Sequence, residues 1–177
     1  MKKTVLLFIY SFIGISIYAQ DENYLQKQFG VEANLVAPGF GVSYELPISR
    51  RFLTDIYGGF GMPIAKGWGS IAIDDGHIKP YTRIGIKYYY NRDNRVRKGK
   101  EINNNRGNFL GLQNKVMYGV VTDDSTVLLN EIHWGVQTEI ARNLLLTFQI
   151  GGAHYYTKAK NNYFSPLLDL KIKYIIF

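Results

Sequence analysis

The stretch from Glu131 to Ala153 constrains the fold most. It reads EIHWGVQTEI, then ARN, then LLLTFQIGGA. In its first arm Ile132, Trp134, Val136 and Ile140 fall on one face, with Glu131, His133, Gln137 and Glu139 on the other. In its second arm Leu144, Leu146, Phe148 and Ile150 share a face opposite Thr147, Gln149 and Gly151. Alternation with a period of two marks a strand whose two faces meet different surroundings, and two such arms joined by a tight turn make a hairpin. A chain built this way must choose which face looks inward.

The same rhythm recurs along the chain. After a polar lead, 21–28, eight alternating segments are expected: 29–37, 40–48, 52–60, 81–90, 109–118, the two arms of the hairpin, and 167–177. Asn114 interrupts the apolar set of the fifth. Pro38-Gly39, 49–51 and 141–143 read as short turns, and 61–80, 91–108, 119–127 and 155–166 as longer loops. Segments of about 9–12 residues suit tilted strands that cross a bilayer. An even number of them lets a meander close without an exposed edge.

Residues 1–19 carry Lys2-Lys3, the apolar run VLLFIYSFIGISIY and a small Ala19 before Gln20. That is the pattern of a cleaved signal peptide, and the run is short for a spanning helix, which needs about 20 residues. The expected domains are a leader at 1–19 and a mature chain at 20–177. No later stretch is long and apolar enough for a membrane helix, so an exported chain of this kind enters a membrane only as a closed barrel. The leader takes two of the 21 Lys and Arg, leaving 19 against 14 acids. With no recognisable module behind it, that mild excess argues against a nucleic-acid partner. The absence of Cys rules out disulfides, a thiol nucleophile and a Cys-based metal site. The 14 Tyr and 18 Gly suit an all-β chain with bends and interfacial rings.

The charges bear on which face is inside. The polar faces carry Glu32, Glu45, Asp55, Glu131, Glu139 and Asp169, and with them Arg83, Lys87, Lys115, Lys171 and Lys173. A mid-strand charge facing lipid costs up to ~2–4 kcal/mol, so in a membrane all of these must point into the lumen. There the six acids and five bases can pair. The interior of an eight-stranded barrel is just wide enough for side chains to fill, so a plugged, salt-bridged core is expected rather than an open pore, with His133 in its hydrogen-bond network. Aromatic residues fall near the segment ends. Phe40, Phe60, Tyr118, Tyr155 and Tyr156, with Trp134, lie towards one end, and Phe52, Tyr88, Tyr90, Phe109, Tyr174 and Phe177 towards the other, as two interfacial belts would require. A secreted soluble barrel of the lipocalin kind would use the same faces in reverse. The first segment lacks a lipocalin-like Gly-x-Trp.

With its leader, eight amphipathic segments and aromatic C-terminus, the chain from Gln20 to Phe177 resembles the small outer-membrane barrels of the OmpA-transmembrane-domain and OmpX type. The resemblance implies an all-β fold, an eight-stranded antiparallel up-and-down transmembrane β-barrel. It implies the outer membrane of a Gram-negative-type envelope as its location. Outer-membrane lipids, lipopolysaccharide and the barrel-assembly machinery would be its partners, and no cofactor or metal is implied. In that family an aromatic C-terminal strand is read by the assembly machinery. Phe177 fits, but Tyr174 stands fourth from the end, whereas the usual aromatic is third, here Ile175. Phe177 is out of phase with Ile172 and Tyr174, so a bulge or a frayed end is expected there. The resemblance also implies both termini in the periplasm. Segments 61–80, 119–127 and 155–166 would then face outward, and 91–108 would be an unusually long periplasmic loop.

Three groups of residues remain as candidates for chemistry. Arg92, Arg95, Arg97, Lys98, Lys100 and Arg106 form one basic loop. It reads as a solvated connector with Asn103-Asn104-Asn105 as filler, or as a surface for anionic headgroups or an acidic protein partner. Asp74-Asp75 and Asp123-Asp124 read as turn formers, with cation binding as the alternative. A lipid-modifying enzyme would need Ser, His and an acid in contact. His77, His133, His154 and Ser165 are the available pieces, with no nucleophile motif around them. The expected function is non-enzymatic: a structural or interaction role, through the loops or as a subunit of an outer-membrane complex.

Overall fold

The computed structural model describes residues 24–62, 64–65, 72–73, 78–121, 125–157 and 162–177. The leader, His77, Asp74-Asp75 and Asp123-Asp124 lie outside the described residues. The strands are β1 (Gln28–Asn34), β2 (Gly39–Pro47), β3 (Phe52–Gly61), β4 (Ile64–Ala65), β5 (Ala72–Ile73), β6 (Lys79–Tyr88), β7 (Gly107–Val121), β8 (Ser125–Ala141), β9 (Leu144–Thr157) and β10 (Asn162–Ile175). A short helix, α1 (Arg92–Arg97), and a 3₁₀ turn (Asn103–Asn105) lie between β6 and β7. Eight strands close into an antiparallel barrel in the order β1, β2, β3, β6, β7, β8, β9, β10. The seam pairs Gly30 with Ile175 and Asn34 with Lys171, so the barrel has no free edge. β4 and β5 form a separate ladder in the connection from β3 to β6.

The turns follow their side chains. The Asn34 Oδ1 accepts from the amides of Val36 (3.1 Å) and Ala37 (3.2 Å), an Asx turn that stops β1 three residues before the expected end of the first segment. The Ser49 Oγ accepts from Arg51 N (3.3 Å) and Phe52 N (3.2 Å). Asn143 takes φ 60° in the β8–β9 turn, a left-handed conformation that Asn tolerates better than most residues. Two expected loops are largely strand. β7 runs on to Val121, β9 to Thr157, and β10 begins at Asn162. Gly119, at φ 70°, marks a bulge where the β7–β8 register shifts between Met117 and Val121, not a loop. Pro166 sits within β10 opposite Gly152. The out-of-phase C-terminus is also a bulge. The amides of Ile176 (2.8 Å) and Phe177 (3.4 Å) both donate to Phe29 O, and the Phe29 and Phe177 rings stack at 5.4 Å.

The alternation sorts side chains cleanly. Ile132 is 64 % exposed and Leu112 60 %, with Val42, Ile56, Ile84, Ile86, Ile150 and Leu168 likewise on the outer wall. The inner wall is layered. Near the mouth where β1 begins (the proximal mouth) Leu25, Leu53, Tyr89 and Phe109 cluster. Towards the distal mouth Tyr57, Tyr81, Met117, Val127, Leu129, Ala153 and Tyr155 cluster. Charged side chains fill the level between. Phe109 and Tyr155 therefore stand inside the barrel and not in the expected belts, because each occupies an inward position of its strand. Trp134 belongs to the proximal group, since its Nε1 donates to the Tyr90 hydroxyl at 2.8 Å. Asn114 does point outward with its apolar neighbours, and its amide donates to Asn130 Oδ1 across β7 and β8.

Two glycines make room for rings in the lumen. Phe109 lies over its cross-strand partner Gly135, where an added Cβ would stand 2.5 Å from Cζ. His133 lies over its partner Gly111, where a Cβ would stand 2.2 Å from Nε2. Ring-over-glycine pairing fills the space that an absent side chain leaves and pins register.

Candidate functional site

Among the described strand residues five acids (Glu32, Glu45, Asp55, Glu131, Asp169) and five bases (Arg83, Lys87, Lys115, Lys171, Lys173) are buried inside the barrel. Arg83 is the hub. Its Nη1 and Nη2 donate to the two oxygens of Glu32 (2.8 and 3.1 Å), and its Nε and Nη2 donate to Asp55 Oδ1 (3.2 and 2.8 Å). β2 and β3 stand between Glu32 on β1 and Arg83 on β6, so this fork spans the lumen. A planar guanidinium suits that bridge because it presents five donors in a fixed fork. Its Cζ lies 4.8 Å from the Tyr57 ring centroid. Lys87 joins Glu45 (2.7 Å) and Asp55 (2.9 Å), and Lys173 meets Glu45 at 3.1 Å.

A second group lies on the opposite wall. Lys171 donates to Gln149 Oε1 (2.8 Å) and stands 3.0 Å from Asp169, which also receives the Asn34 amide. Lys115 lies 3.3 Å from Glu131, which receives the Gln113 amide. His133 meets Gln149 Nε2 at 3.1 Å. The contacts of Lys115, and of Lys171 and Lys173 with their acids, are ion pairs by distance without hydrogen-bond alignment. Glu139 departs from this network. It stands at the proximal mouth, pairs with Arg106 and accepts from the Asn143 amide at 3.1 Å. It is the last inward position before the turn, so it reaches the mouth and not the lumen.

The basic loop is solvated at Arg97, Lys98 and Lys100, but it is not a loose connector. It folds back as a cap on the proximal mouth. Arg92 is buried and bonds the carbonyls of Tyr24 and Ile102, and burial lowers its pKa. Asn104 and Asn105 both take φ 55°, so the Asn run is a turn former and not filler. Asn105 is fully buried. Its Oδ1 accepts from Gln26 N (2.6 Å), and its Nδ2 donates to Gln26 O (2.8 Å) and to Glu45 Oε2 (2.9 Å). Asn104 N donates to Gln26 Oε1 (2.8 Å), and Gln137 Nε2 donates to Asn104 O (3.2 Å). Residues 24–27 and the cap thus close the mouth together, over the Leu25, Leu53, Tyr89 and Phe109 cluster. On the rim Arg51 pairs with Asp93, which holds that carboxyl below its usual range. Arg95 donates to Glu101 O, and Arg106 also pairs with Glu101. Gln26, Asn105 and Gln137 were not legible as site residues. The only local sign was a run of three Asn, a residue type that tolerates left-handed turns.

Among the described residues the candidate catalytic side chains His133, His154 and Ser165 are not brought together. His154 points outward and lies against Phe164, its partner on β10, while Ser165 is the next residue and occupies an inward position. The barrel wall separates them. Among the described residues no group of three His, Asp or Glu is arranged to hold a metal.

The fold and its interior define a closed antiparallel barrel of eight strands, apolar outside and charged within, capped at one mouth by its own chain. No family model, curated protein or solved structure matches it.

Proposed function

We propose that the chain is an outer-membrane β-barrel of non-enzymatic function, exported by the leader at 1–19, with an occluded lumen. It acts as a structural or docking element of the envelope. The supporting observation is its reversed polarity: large apolar side chains cover the outer wall, while ten charged strand residues are buried inside. Monomeric proteins in water rarely leave an apolar patch beyond a few hundred Å² uncovered, whereas acyl chains cover such a wall at no cost. An apolar-ligand carrier of the lipocalin kind needs the opposite lining. The cap, the apolar cluster and the spanning Arg83 fork all stand across the axis, which supports a plug over a pore.

The test is made on the mature chain. Recovery in the outer-membrane fraction, a requirement for detergent, heat-modifiable migration on a gel and no steady conductance in a planar bilayer are expected. A monomer that stays folded in detergent-free buffer would refute the membrane reading, and ohmic conductance would refute the occluded lumen.

A further inference from the structure

Among the described residues the proximal mouth carries more cations than its acids match. Asp93 is taken by Arg51, and Glu101 and Glu139 are both taken by Arg106. Among the described residues Arg97, Lys98, Lys100 and Arg142 are exposed and pair with no carboxylate. Arg97 lies close enough to Asp93 to act on it electrostatically, which sets the end of α1 beside the Arg51 rim.

This cationic surface abuts the apolar wall without a break. Arg51 precedes Phe52, whose ring stacks on Tyr88 at 4.8 Å, and an Arg51 Nη reaches the Tyr88 hydroxyl at 3.5 Å. Tyr90 receives the Trp134 indole N–H one residue before the cap begins. Arg142 sits two residues past the exposed Ile140. Apolar wall, amphipathic rings and unpaired cations follow one another in the order of acyl chain, interface and headgroup.

We infer that Arg97, Lys98, Lys100 and Arg142 form a seat for anionic phospholipid headgroups of the phosphatidylglycerol type, in the leaflet at the capped mouth. The inference rests on the membrane reading above. A phosphodiester offers the charge that these cations lack, and an anionic lipid is already anchored beside them by its tails. The Arg51–Asp93 pair and the Asn105 contacts hold the cap so that its cations stay at the rim.

Native mass spectrometry of the detergent-released mature barrel tests this, with dioleoylphosphatidylglycerol and dioleoylphosphatidylcholine titrated separately. The wild type should retain the anionic lipid at several-fold lower concentration than the zwitterionic one. The variant R97S/K98S/K100S should lose most of that preference, since each cation near an anionic surface contributes up to roughly fivefold. R142S, in the β8–β9 turn and outside the cap, should show a smaller loss of the same sign and serves if the triple variant does not fold. Equal retention of the two lipids by the wild type, or a preference undiminished in the variants, would overturn the inference and leave the cations to an acidic protein. In a barrel that still requires detergent, such a result leaves the membrane reading standing.

Discussion

At Arg83 one side chain holds two carboxylates from different parts of the wall. Truncating it leaves Glu32 and Asp55 buried and uncompensated, and breaking a buried pair in this way costs about 3–5 kcal/mol. Arg83→Met should lower the urea midpoint of unfolding accordingly. Adding Glu32→Gln and Asp55→Asn should recover much of the loss, and an unchanged midpoint in the single variant would remove Arg83 as the hub. The ring-over-glycine pair gives a second expectation. Gly135→Ala should destabilise by about 1–3 kcal/mol through overpacking against Phe109, and Phe109→Leu should relieve part of it. Additive losses in that double-mutant cycle would show that the ring and the glycine are not coupled. The charged positions were legible residue by residue, because a charge on an alternating strand belongs to the polar face wherever the strand goes. Their partners were not, because Glu32 and Arg83 lie 51 positions apart and meet only across a closed barrel.

Among the elements the cap is the one the sequence disguised. A polar stretch rich in Arg, Lys and Asn has the composition of a loose connector, yet its 3₁₀ turn is tied to residue 26 and to β2 and β8, and its helix to Tyr24 through Arg92 and to Arg51 through Asp93. Asn105→Ala removes the bonds to Gln26 and Glu45 and places Ala in a left-handed conformation that costs about 1–2 kcal/mol. Hydrogen exchange should then speed up across 91–106 while β7–β10 stay protected; uniform exchange throughout would mean that the cap and barrel unfold as one. The Arg51–Asp93 pair adds a pH dependence. Arg51 lowers the Asp93 pKa from its usual 3.8, so the contribution of the pair is present above that value and is lost as pH falls through the lower folded value. Cap protection should decline below about pH 4 and Asp93→Asn should lessen that decline, the Arg106–Glu139 pair accounting for the remainder. A decline that persists undiminished in the variant would assign it to other groups. Strand existence was readable from the alternation, but the ends of β7 to β10 were not. Gly119 and Pro166 look like terminators locally, and the ladder accommodates the first as a bulge and the second opposite Gly152.

For the molecule as a whole, the setting of the apolar wall, lipid or water, decides what a charge placed on it costs. In a bilayer Ile132→Lys puts a charge among acyl chains and should cost about 2–4 kcal/mol near the midplane. On a wall bathed in water the same change is close to neutral, because surface substitutions there fall within about 0.5 kcal/mol. Refolding yield into phospholipid vesicles, compared with a charge-neutral Ile132→Gln control, distinguishes the two settings, and an unaffected yield would count against the membrane. The sequence by itself determined that there are two kinds of face and that eight segments carry them, since a period of two is a local property written in neighbouring residues. It also determined which side chains share a face. Only the tertiary structure decided that the charges face the axis, that they pair across it through Arg83, and that the chain stoppers its own mouth. Those outcomes depend on contacts between residues as far apart as Gln26 and Asn105, 79 positions along the chain, which come within bonding distance only once the barrel has closed.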